Sequence, residues 1–148
     1  MPETLYTIGF AKKRLRTFVQ LLKDAGVTKL VDTRLNNTSQ LAGFAKKDDL
    51  EYILELVGVK YEHEPLLAPT DLILKNYKKK IITWSEYERA YLCLLEERRI
   101  LTRVNEQISG EIVCFLCSED KPDQCHRRLL VEYIQKNIPQ EITVQHLV

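Results

Sequence analysis

Two of the four cysteines, Cys117 and Cys125, stand where a thiol can act. Cys117 closes the apolar run Glu111-Ile112-Val113-Cys114-Phe115-Leu116-Cys117, and Cys125 opens the segment Cys125-His126-Arg127-Arg128 after seven intervening residues. A buried strand, a returning loop and a helix would bring the strand-end thiol back to the helix-start thiol. Unpaired N–H groups and the macrodipole at a helix N-terminus stabilise a thiolate, and inward-pointing His126, Arg127 or Arg128 would add to this. Three chemistries are open. Cys125 can be a nucleophile, Cys117 and Cys125 can form a reversible disulfide, or Cys117, Cys125 and His126 can ligate zinc or iron with Glu119 or Asp32 completing the shell. Adjacent Cys125 and His126 rarely face one ion, which counts against the metal, and no metal is assigned.

The spacing Cys114-x-x-Cys117 looks like a redox or zinc motif. It is set aside, because side chains three apart in a strand point to opposite faces, whereas thioredoxin-type pairs sit at a helix start. Cys114 reads as a small core residue, and Cys93 likewise.

Other polar residues fall at the same kind of position. Gly9 follows the apolar run Leu5 to Ile8, Asp32 and Arg34 end Lys29-Leu30-Val31-Asp32-Thr33-Arg34, and Glu119 follows Cys117. Asp32, Glu119 and His126 suit acid, base or orienting roles, and the planar forks of Arg34 and Arg127 suit an oxyanion. The bland reading stands beside this: Arg34 and Arg127 simply neutralise Asp32 and Glu119. The loop Ser118 to Gln124 has no glycine and carries Glu119, Asp120 and Asp123, so it is a poor phosphate cradle. His63, between Glu62 and Glu64, can be a base, a ligand or a solvated strand-end residue. His146 is read as structural.

These residues need a scaffold. Leu5 to Ile8 followed by Leu15, Phe18, Val19 and Leu22 reads as strand then helix, closed by Gly26. Lys29 to Arg34 is a second strand, with Asp48 as the cap of a helix carrying Leu50, Ile53, Leu54 and Val57. Val59 to Leu67 is a third strand interrupted by Pro65, and Ala68 to Lys80 fits no single pattern. Thr83 can cap a long helix from Trp84 to Gln107 with Trp84, Tyr87 and Tyr91 on its core side. Glu111 to Cys117 is a strand buried on both faces, a helix carries Leu129, Leu130, Tyr133 and Ile134, and Ile142 to Leu147 is the last strand. Strands separated by helices need right-handed crossovers, so the expected fold is α/β with three layers: a mainly parallel sheet of four to five strands with helices on both faces, in a single domain over residues 1–148. Ligands in such folds bind beyond the carboxyl ends of the strands, where these polar residues would share one cleft.

Composition narrows the partners. The 22 basic and 21 acidic residues give a net charge of +1, so no global field draws the protein to nucleic acid or an anionic membrane. Basic runs at Lys12-Lys13-Arg14-x-Arg16, Lys78-Lys79-Lys80 and Arg98-Arg99 make nucleic-acid binding a lesser reading, since such runs are usually solvated faces. No apolar run reaches the ~18 residues of a membrane span and the N-terminus lacks a signal-peptide core, so a cytoplasmic protein without a membrane partner is expected. The sequence names no cofactor and no oligomeric state.

Several stretches together resemble the bacterial and archaeal family known as domain of unknown function 488. They are Tyr6-Thr7-Ile8-Gly9, Leu30-Val31-Asp32-Thr33-Arg34, Phe44, Gly58-Val59-Lys60-Tyr61, and above all Cys117-Ser118-Glu119 followed by Cys125-His126-Arg127. The resemblance implies that Asp32, Arg34, Cys117, Glu119, Cys125, His126 and Arg127 occupy the family's signature positions. It supplies no reaction. Many members carry Pro and then Ser-Arg after the position of Arg34, where Asn36-Asn37-Thr38-Ser39-Gln40 stands here. The leading expectation is an enzyme with a cysteine, acid and arginine site acting on a small anionic or nucleotide-like substrate. The alternatives are a non-catalytic module binding nucleic acid or protein, and a structural metal site.

Overall fold

The computed structural model describes residues 3–35, 46–117 and 125–148. Five strands, β1 (Glu3–Gly9), β2 (Lys29–Asp32), β3 (Lys60–His63), β4 (Val113–Cys117) and β5 (Ile142–Leu147), form one parallel sheet in the order β3-β2-β4-β1-β5. The chain steps from β1 through β2 to β3 by way of α1 (Leu15–Asp24) and α2 (Lys47–Leu56). It then reverses through α3 (Asp71–Lys78), α4 (Trp84–Glu97) and α5 (Ile100–Ile108) to β4, and through α6 (His126–Asn137) to β5. Crossovers of one hand in opposite directions must cover opposite faces, which gives the three layers.

Strand alternation sorts the core accordingly. Ile8, Leu30, Cys114 and Leu116 pack with Phe18 and Leu22 of α1 and Leu50 and Leu54 of α2. Leu5, Val31, Val113 and Phe115 pack on the other face with Tyr87, Tyr91, Leu95, Val104, Leu130 and Ile134. β2 leaves toward β3 over the first face and β4 leaves toward β5 over the second, so their carboxyl ends diverge. That divergence is where a doubly wound sheet opens a crevice.

Some local expectations change. The long helix after Thr83 is two helices: the capping box of Thr83 and Glu86 starts α4, but Arg99 turns left-handed (φ 51°) and α5 restarts at Ile100. Asp48 is not the cap of α2; Lys46 holds that position and its side chain does not cap the helix, and Asp48 lies in the first turn, where its charge favours the helix dipole. The third strand stops at His63, and Pro65–Leu67 forms a 3-10 turn instead. Residues 71–78 are helical, capped by Thr70. Cys114 is buried as expected, whereas Cys93 is exposed. Among the described residues no helix is long and apolar enough to cross a membrane.

Candidate functional site

The parallel register sets Gly9 beside Cys117 and Asp32 beside Leu116, so the ends of β1, β4 and β2 lie in a row. Glycine puts no side chain next to the thiol. Beyond β2 the chain is tied to β4: Thr33 donates both its N–H (3.0 Å) and its hydroxyl (2.8 Å) to the carbonyl of Leu116. Successive side chains then point to alternate faces, and the candidate residues divide into two groups.

On the α1/α2 face, Asp32 is fully buried and accepts four hydrogen bonds. Arg34 supplies three, from its backbone N (3.1 Å), Nε (2.9 Å) and Nη2 (2.7 Å), and Tyr61 Oη supplies the fourth at 2.6 Å. The guanidinium also lies over the Phe10 ring, 5.1 Å from its centroid. His63 Nε2 donates to the Arg34 carbonyl at 2.8 Å. The acids flanking His63 face the opposite way: Glu62 and Glu64 both accept from Gln107, and Glu64 also pairs with Arg103 at 2.7 Å. Arg34 is therefore held on an edge, a face and its backbone, and its Nη1 makes no hydrogen bond to a described residue.

On the α4/α6 face the sulfurs of Cys117 and Cys125 are joined as a disulfide. Arg127, fully buried, donates from Nη1 to Cys117 Sγ at 3.4 Å. Cys125 is the N-cap residue of α6, with an extended backbone and no side-chain cap bond, so its sulfur lies at the positive end of a 12-residue helix. His126 Nε2 lies 3.0 Å from both the carbonyl and the hydroxyl of Thr33. A carbonyl only accepts, and the Thr33 hydroxyl proton already goes to Leu116, so Nε2 carries the ring's proton and donates to both. Burial drives the His126 pKa down to about 4, with the Thr33 backbone bond opposing, Arg127 assisting and Asp32 opposing. The imidazole is neutral at physiological pH, wedged against the edge of Tyr91, whose hydroxyl donates to the Leu67 carbonyl. Burial likewise pushes the Tyr91 hydroxyl and the Cys114 thiol up, so both keep their protons.

The structure thus brings Cys117, Cys125, His126 and Arg127 together, with Gly9 alongside Cys117, and puts Asp32 and Arg34 across the sheet edge from them. The residues of one expected cleft occupy two faces, bridged by Thr33. Glu119, Phe44 and residues 36–40 lie outside the described residues. Among the described residues no group of three or more His, Cys, Asp and Glu is placed to hold a metal. His146 bonds Thr7 across the β1–β5 pair at 2.6 Å. Of the basic runs, Arg98 holds the carbonyls of Leu66 and Ala68, while Lys78, Lys79 and Lys80 are exposed. The sequence assigns no site role to Phe10, to Thr33 or Tyr61 beyond their place in the family-like stretches, or to Tyr91 beyond the core side of its helix. Strand parity was the available signal for Thr33, which must face opposite to Asp32.

Residues 14–134 match the family described as Domain of unknown function DUF488. The chain belongs to this family. The matched span holds residues of both groups, on both faces, and leaves Gly9 and Phe10 outside. No curated protein and no solved structure matches the chain.

Proposed function

We propose that this DUF488 protein is a cysteine-dependent enzyme acting on a small anionic or nucleotide-like substrate, with Cys117 as the thiolate nucleophile and Cys125 as its partner thiol. The contact of the two sulfurs under the Arg127 guanidinium carries the reading. A hydrogen bond from a cation favours thiolate over thiol, and more so where water is excluded. His126, neutral and locked through Nε2 to Thr33, orients the start of α6 rather than adding charge. Asp32 serves as an orienter, since its hydrogen bonds hold Arg34 and Tyr61. Arg34 is the anion anchor, because a guanidinium fixed on one edge keeps its remaining donors pre-aimed. Glu119, two residues beyond Cys117 in the sequence, is the proposed acid/base group. A substrate touching both Arg34 and Cys117 must cross the edge of β2 at Thr33, which suits an elongated, nucleotide-like molecule. In a cytoplasmic, reducing setting the pair would cycle between dithiol and disulfide.

Two alkylating agents of nearly equal size test this, anionic iodoacetate and neutral iodoacetamide, applied to the Cys125→Ser protein with exposed Cys93 as internal reference. The expected result is a preference of Cys117 for iodoacetate over that of Cys93 by roughly tenfold, the equivalent of about 1.4 kcal/mol of attraction. Equal preference at the two thiols would withdraw the anionic-substrate reading and favour a binding module in which these residues are struts.

A further inference from the structure

The cysteine pair is arranged for a particular two-electron chemistry. Cys117 and Cys125 are only 1% and 4% exposed, and the fully buried Arg127 packs against the former. A bulky disulfide or protein thiol must approach in line with the attacking sulfur, and this burial leaves no room for it. The second sulfur already touches the first. Whatever oxidises Cys117 must therefore be small, and its product is captured within the same molecule.

We propose that the pair reduces small hydroperoxides, with Cys117 as the attacking sulfur, Arg127 beside the breaking bond and Cys125 as the resolving thiol. The inference rests on the reading of Cys117 as a thiolate. In the first step the Cys117 sulfur attacks one oxygen of ROOH; the S–O bond forms, the O–O bond breaks, and RO⁻ leaves and takes up the proton that Cys117 gave up on ionising. Cys117 becomes a sulfenic acid, oxidised by two electrons, and the peroxide is reduced to ROH. In the second step the Cys125 sulfur attacks the sulfenic sulfur, the S–S bond forms, the S–O bond breaks, and the hydroxyl leaves as water with the Cys125 proton. A small external dithiol, itself oxidised to a disulfide, then returns two electrons and two protons to restore both thiols. Arg127 contributes twice: its Nη1 hydrogen bond favours the thiolate, and its charge lies where the departing oxygen becomes negative. The neutral, Thr33-bound His126 and the N-terminus of α6 keep Cys125 in place at the end of that helix.

The test is reduction of hydrogen peroxide by the full chain carrying Cys93→Ser, with dithiothreitol as the electron donor and the modified cysteines located by mass spectrometry. An ordinary thiol, with a pKa near 8.5, is only a few per cent ionised at pH 7, so a fully ionised Cys117 should react roughly thirtyfold faster than a free thiol of that kind, and clearly faster than Cys93 in the wild-type chain. Cys125→Ser should leave the first step intact and let a sulfenic acid accumulate at Cys117, trapped by dimedone. Cys117→Ser should abolish turnover. If Cys117 shows the iodoacetate preference but meets peroxide no faster than Cys93, the hydroperoxide proposal is overturned while the anionic-substrate reading survives. If Cys117 shows neither property, both fall. Fast oxidation of Cys117 with no trapped sulfenic acid in Cys125→Ser would also overturn the proposed sequence of steps.

Discussion

Each face of the sheet edge buries an arginine against an electron-rich partner, and the two pairings differ in what remains for chemistry. Arg34 meets a carboxylate whose hydrogen bonds go to Arg34 itself and to Tyr61, so the Asp32 side is a finished ion pair that fixes a guanidinium. Arg127 meets the sulfur of Cys117, and sulfur, unlike a carboxylate, has both acid–base and redox chemistry. Similar parts thus give a fixed ion pair on one face and, in the function we propose, a reactive centre on the other. Thr33, bonded both to Leu116 and to His126, is the joint between them.

The comparison breaks if the faces are not energetically separate. Asp32→Ala should have the largest effect, about 3–5 kcal/mol of lost stability, because it strands a buried guanidinium. Urea unfolding followed by the fluorescence of Trp84, the single tryptophan, measures it. The alkylation rate of Cys117 in the same folded variant should be unchanged for iodoacetamide and reduced for iodoacetate; a loss with both reagents would show the faces to be one unit.

Acid should strike the other face. The folded His126 pKa of about 4 lies below the unfolded value near 6.5, so below pH 6.5 the unfolded chain binds a proton that the folded one refuses. Stability is complete above pH 6.5 and falls toward pH 4, by roughly 3 kcal/mol from this group. His126→Gln should flatten that part of the stability profile, and an unaltered slope would assign the acid sensitivity elsewhere.

Tyr61→Phe removes one bond to a buried carboxylate and should cost about 2 kcal/mol, with no change in Cys117 labelling by iodoacetamide. Thr83→Ala, at the capping box of α4 and outside both groups of site residues, should cost about 1 kcal/mol and leave both reagents unaffected. A larger change in labelling from Thr83→Ala than from Tyr61→Phe would invalidate the assignment of the two faces.

The scaffold was legible wherever hydrophobic period and turn chemistry agreed. Ile142–Leu147 is a strand over the expected residues, and Thr83 caps its helix. The break between α4 and α5 carries no glycine or proline; a left-handed arginine at 99 makes the turn, a conformation for which sequence gives no cue. The proximity of Cys117 to Cys125 followed from strand, loop and helix geometry. The division into two faces did not, although the alternation rule that set aside Cys114-x-x-Cys117 applies equally to Asp32, Thr33 and Arg34. Tyr61 and Phe10 enter the Arg34 group through strand order and packing, which no local pattern encodes.

The most direct measurement is the pH dependence of iodoacetamide alkylation at Cys117 in the Cys93→Ser, Cys125→Ser protein, with the site of modification confirmed by mass spectrometry. Arg127 in contact with the sulfur should place the midpoint clearly below the ordinary thiol value of about 8.5, with fast labelling already at pH 7. A midpoint at or above 8.5 would contradict the account, leaving Arg127 and the two cysteines as packing at the start of α6.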